Sequence, residues 1–61
     1  MIKAKVDLSE VDAHALSIVG AVTKGLRRAG NPETVIDEFR EEALSGDYDH
    51  VLQTAMEYVE E

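Results

Sequence analysis

The chain has 61 residues, six Lys and Arg against thirteen Asp and Glu, and neither cysteine nor tryptophan. Those figures exclude a disulfide framework and a cysteine-based zinc site. A chain this short buries only about 60% of its unfolded surface, so one small domain is the ceiling and a large buried catalytic pocket is not expected.

Seven of the 27 apolar residues are Ala. Leu, Ile, Val, Met and three aromatics must therefore carry the core, at roughly 1.5–3 kcal/mol for each fully buried side chain. Chain entropy opposes this with a similar total, which leads to the expectation of a marginal monomer or a homodimer. No apolar run reaches the ~20 residues that span a bilayer, and MIKAKVDL has two lysines with no apolar stretch behind them, unlike a signal peptide. A cytoplasmic protein with no membrane association is expected. The charge is divided. Residues 1–30 carry Lys3, Lys5, Lys24, Arg27 and Arg28 against Asp7, Glu10 and Asp12, a sum of +2; residues 31–61 carry Arg40 against ten acids, a sum of -9.

In residues 2–8 the apolar Ile2, Ala4, Val6 and Leu8 alternate with Lys3, Lys5 and Asp7. Period 2 predicts a half-buried strand. No second strand pattern is visible, so the ladder bonds of this segment are expected to go to a second copy. Antiparallel pairing about Lys5 sets Ile2 against Leu8, Ala4 against Val6 and Lys3 against Asp7, which makes Ile2, Ala4, Val6 and Leu8 the candidate dimer strand.

From residue 9 the period becomes helical. Val11, Ala15, Ile18, Val19, Val22, Leu26 and Ala29 predict a helix over about 12–29, with Ser9 or Asp12 as cap and Gly30 as stop. Gly20 and Gly25 inside it suggest a close crossing by another helix. Asn31-Pro32-Glu33 is a start signal with Asn as the cap. The second helix is expected over about 32–44, on the stripe Val35, Ile36, Phe39 and Ala43, and Gly46 is expected to end it in the left-handed conformation. Asp47 then caps a third helix over about 48–59, with Tyr48, Val51, Leu52, Ala55, Met56 and Val59 as its apolar face. The expected fold class is mainly α: a short N-terminal strand followed by a compact three-helix domain in one unit, 1–61.

Several of these segments have a counterpart. Arg27-Arg28-Ala29-Gly30, Glu42-Ala43 through Ser45-Gly46-Asp47-Tyr48-Asp49-His50, and Thr54, Met56 and Val59 resemble a group of short hypothetical proteins of bacteria and of phage or prophage genomes. The resemblance covers residues 12–59, and SGDYDH before an apolar helix is its most specific part. An aromatic is common in that group at positions 16 and 58; Leu16 departs from this and Tyr58 keeps it. A Gly-Asn pair is common where this chain has Ala13-His14. The resemblance implies a phage-like context and no particular chemistry.

Candidate chemistry is sparse. Asp47, Asp49 and His50 share a turn, but Val51 and Ala55 stand where an EF-hand loop needs other features, and a helix start accounts for both acids. His14 and His50 have no nucleophile-elbow serine beside them, since neither Ser9 nor Ser17 has that context. His14, His50 and Asp47 form a zinc site only if the starts of the first and third helices converge. Lys24, Arg27 and Arg28 suit a helix C-terminus. Helices two and three resemble a helix-turn-helix pair, yet the would-be reading helix has no Lys or Arg to anchor phosphates.

The expectation is a non-catalytic accessory protein acting through protein–protein contact, with no catalytic, cofactor or metal site and no nucleic-acid partner. Its candidate interaction surface is Asp37, Glu38, Glu41, Glu42, Asp49 and Glu57. Two alternatives are kept: a nucleic-acid-associated domain using Lys3, Lys5, Lys24, Arg27 and Arg28, and an acidic mimic of DNA that inhibits a nucleic-acid enzyme.

Overall fold

The computed structural model describes residues 1–60. The protein is mainly α: helices α1 (Ala15–Arg28), α2 (Glu33–Ala43) and α3 (Tyr48–Tyr58) pack against one another, framed by two short strands, β1 (Ala4–Lys5) and β2 (Val59–Glu60). The core is drawn from every one of these elements. Ile18, Val19, Val22 and Leu26 supply it from α1, Ile36, Phe39 and Ala43 from α2, Val51 and Ala55 from α3, and Ala4 and Val59 from the strands. Steps of three and four place each helical set on one stripe. Phe39 and Tyr58 meet at 5.0 Å between ring centroids, tilted by 57°, an arrangement that suits the aromatic quadrupoles.

The N-terminal strand finds its partner inside the chain. β1 pairs in parallel with β2, Ala4 opposite Val59 and Lys5 opposite Glu60. The expectation that no second strand exists is thereby corrected. Val59 was expected to continue the third helix, but it turns extended (φ -110°, ψ 137°), and a two-residue strand is too short to leave an alternating pattern in sequence. The strand is also shorter than 2–8. Asp7 accepts hydrogen bonds from the Ser9 amide (3.1 Å) and hydroxyl (2.6 Å), and this local turn closes a 3₁₀ segment over Leu8–Glu10. Leu8 therefore leaves the extended register in which it was to face Ile2 of a second copy. Of the candidate dimer strand, Ala4 is fully buried, Ile2 is exposed, and Val6 and Leu8 are half-buried against the core.

The same turn delays α1 to Ala15. Neither Ser9 nor Asp12 caps it; His14 holds the cap position without a side-chain bond. At the other end the Gly30 amide donates to Arg27 O and the Asn31 amide to Leu26 O, with Gly30 at φ +97°. This is a Schellman stop, where glycine avoids the Cβ clash of the left-handed region.

Asn31 does not cap α2, as was expected; Pro32 holds that position. Asn31 is buried, and its amide serves the N-terminus instead. The Ile2 amide donates to Asn31 Oδ1 (2.8 Å), while Nδ2 donates to Ile2 O (2.7 Å) and Leu26 O (3.0 Å). Gly46 is also not left-handed, since Gly30 is the positive-φ residue among those described. Asp47 caps α3 as expected, accepting from the His50 amide at 3.0 Å.

Gly25 marks a close crossing, but by a strand and not by a helix. A Cβ there would lie 2.5 Å from Val6 Cγ2 and 2.8 Å from Ala4 Cβ. Gly20 faces open space, so nothing in the packing requires it.

Candidate functional site

The polar cluster at the α2–α3 corner is the first place to look for chemistry. His50 lies one turn into α3 and its ring reaches back to the end of α2. Nε2 lies 2.9 Å from Glu42 O, 3.3 Å from Ser45 Oγ, 3.4 Å from Glu42 Oε2 and 3.5 Å from Thr54 Oγ1. Gly46 makes room for the ring: a Cβ there would meet its atoms at 2.9–3.1 Å.

A nucleophile–base relay needs the hydroxyl and the acid on opposite ring nitrogens. Here hydroxyl, carboxylate and carbonyl all converge on Nε2. Ser45 Oγ makes its shortest contact to Glu42 O, at 2.7 Å, with Glu42 Oε2 at 3.1 Å, so the hydroxyl is engaged with the end of its own helix. The arrangement satisfies the final carbonyls of α2, which lack intrahelical partners. It is a hinge clamp between two helices, with the Asp47 cap fixing the start of α3 beside it.

The starts of α1 and α3 do approach each other, since Tyr48 Oη donates to Ala13 O at 2.7 Å. His50 nevertheless turns toward Glu42, and Asp47 is engaged as a cap. Among the described residues no three His, Cys, Asp or Glu side chains are grouped closely enough to hold a metal ion. His14 is exposed at the first turn of α1.

The expected interaction surface lies on two helices. Asp37, Glu38, Glu41 and Glu42 are all exposed on α2, Asp37 and Glu41 in one i, i+4 row and Glu38 and Glu42 in the next; Asp49 and Glu57 are exposed on α3. Glu42 is partly diverted to Ser45 and His50. The basic residues divide as well. Arg27 forms a two-point pair with Glu33, Nε to Oε2 at 3.0 Å and Nη2 to Oε1 at 3.1 Å, bridging the end of α1 and the start of α2. The guanidinium holds the Glu33 carboxyl below the usual carboxylate range, and Glu33 in turn raises Arg27. Lys3, Lys5 and Arg28 lie around a separate cleft.

One surface was not legible in the sequence. α3 carries two apolar rows, Val51–Ala55, which Val59 follows in β2, and Tyr48–Leu52–Met56. The first is buried. In the second, Leu52 is half-buried and Met56 is 60% exposed. Met56, Val59, Val6 and Leu8 line an open groove of about 600 Å³, with Lys5, Asp7 and Glu60 among its rim residues. The apolar stripe of α3 was wider than a three-helix core can cover, which is the one signal that pointed to this groove. Comparison of the chain with protein-family models, with curated proteins and with solved structures found no match.

Proposed function

We propose that this is a small non-catalytic accessory protein that acts through protein–protein contact. The observation that carries this reading is Met56, 60% exposed at the end of the second apolar row of α3. Met56 is a flexible, polarizable side chain of a kind favoured at adaptable contact surfaces, and it stands beside Val6 and Leu8 over an apolar groove. Single exposed apolar residues are ordinary on a protein surface; Met56 is set apart by sharing one groove with Val6 and Leu8. The convergence of Ser45, Glu42 and Thr54 on one nitrogen of His50 supports the non-catalytic part.

Self-association through this groove belongs to the same reading. With β1 paired to β2 inside the chain, the apolar groove is the surface available for a homodimer. Sedimentation equilibrium at micromolar concentration tests it directly. A mass of twice 6.7 kDa that falls to one chain in Met56→Glu supports the homodimer. A monomer at all concentrations removes self-association and leaves a foreign protein as the partner. The exposed acids of α2 and α3 serve solubility and favour a basic partner surface. The phage-type and cytoplasmic assignments rest on the sequence resemblance and on composition.

A further inference from the structure

We propose that the cleft between β1 and the last turns of α1 binds the phosphate groups of a small di- or triphosphate compound. The cleft has a volume of about 360 Å³ and is lined by Ile2, Lys3, Lys5, Gly25, Arg28, Ala29 and Glu60. Lys5 comes from β1, Lys3 from the residue before it, and Arg28 from the end of α1. The tertiary fold assembles them: β1 crosses α1 at Gly25, and the absence of a Cβ there lets the strand approach closely enough to share a cleft with Arg28. Gly25 and Ala29 form the small-residue wall of the cleft between the cations.

Among the described residues Arg27–Glu33 is the ion pair made by a Lys or Arg. Lys3, Lys5 and Arg28 thus have no described acid within 4.0 Å, in a chain where acids outnumber cations two to one. Helix-dipole compensation accounts for Arg28 at the end of α1. It does not account for Lys3 and Lys5, which belong to no helix. Glu60, the register partner of Lys5, also lines the cleft, so three cations and one anion give it a sum of +2, suited to a multiply charged phosphate. Arginine adds planar, two-point recognition of phosphate oxygens. The rest of the chain argues for a compact ligand. A formal charge of -7 over the whole molecule repels an extended polyanion such as duplex DNA, whereas a di- or triphosphate can be held within a hollow of this size.

The test is an NMR titration of the ¹⁵N-labelled full chain with sodium pyrophosphate at fixed ionic strength. Saturable shifts confined to the amides of residues 2–5 and 25–29, with affinity reduced at least tenfold in the double variant Lys3→Gln/Arg28→Gln, are expected. Both residues are exposed, and circular dichroism checks that the double variant keeps its helices. Parallel titrations with citrate and with a short DNA duplex separate the sources of negative charge. Citrate binding as tight as pyrophosphate overturns the assignment to phosphate. Duplex binding tighter than pyrophosphate overturns the assignment to a small ligand, and shifts that do not saturate or do not respond to the double variant overturn the site.

Discussion

Asn31 and Ile2 exchange two hydrogen bonds across 29 positions of sequence, the Asn31 side chain acting toward the Ile2 backbone as a neighbouring strand would. The second proton of Nδ2 reaches Leu26 O, at the C-terminal end of α1. One buried amide thereby joins the N-terminal segment to the α1–α2 turn and satisfies three backbone groups. Only a side chain with both a carbonyl and an NH₂ of this length can do so. Asn31→Ala is expected to destabilise the protein by about 2–3 kcal/mol, since partners are left unsatisfied as well as bonds lost. Urea unfolding measures this. Asn31→Asp keeps the acceptor and loses both donors, so it should be at least as damaging, and hydrogen exchange at the Ile2 amide should accelerate in Asn31→Ala.

Gly25 and Gly20 should respond in opposite directions to the same substitution. Both lie within α1, where Ala is favoured over Gly by about 1 kcal/mol. At Gly20 a Cβ meets nothing within 4 Å, so Gly20→Ala should stabilise by about 0.5–1 kcal/mol. At Gly25 it would strike Val6 and Ala4. There overpacking, typically about 1–3 kcal/mol, outweighs the propensity gain, and Gly25→Ala should lower the melting temperature. Equal stabilisation by both changes would show that β1 does not lie on α1 at this point.

Thr23 is buried, and its hydroxyl has no hydrogen-bond partner among the described residues. Replacing it with the near-isosteric Val removes an unsatisfied polar atom. Thr23→Val should raise stability by about 1 kcal/mol, read as a higher denaturant midpoint with an unchanged slope.

The acid limb of stability should carry the signature of two exposed carboxylates. Glu33 is held below its ordinary value first by its hydrogen bond to Arg27, and Asp7 first by the Ser9 hydroxyl and then by the Ser9 amide. A carboxyl lowered in the folded state contributes stability above its unfolded pKa and loses it as pH falls through the folded one. Both groups are therefore expected to stabilise the protein at neutral pH and to stop doing so at acid pH. NMR titration of the Glu33 carboxyl in Arg27→Gln should move its midpoint up toward that of an ordinary glutamate, and in Ser9→Ala the Asp7 midpoint should rise likewise.

His50→Ala tests the corner clamp. The change removes the ring that meets Glu42 O and leaves the end of α2 to solvent. Because the site is half-exposed and water can replace the bond, the loss should be modest, about 1 kcal/mol. Faster amide exchange is expected in the Leu44–Gly46 turn, with α1 unaffected.

The three helices and their buried stripes are legible along the chain, because period 3.6 in apolar residues is a local property and Gly30, Pro32 and Asp47 punctuate it with fixed backbone preferences. Ile18, Val22, Leu26, Ile36, Phe39, Val51 and Ala55 were all legible as core on that ground. Helix ends were less so: the Asp7–Ser9 turn competed with the start of α1, and Asn31 left its capping role for a bond to a residue 29 positions away. The pairing of the N-terminal strand is set by long-range packing. Two residues of β2 carry no periodic signal, and their extended conformation exists because Ala4 lies opposite Val59. The tertiary structure also decided which of the two apolar rows on α3 is buried, since a helix displays its stripe but its neighbours determine how much of it they cover. It likewise gathered Lys3, Lys5 and Arg28 around one cleft, through a crossing at Gly25 that joins residues more than twenty positions apart.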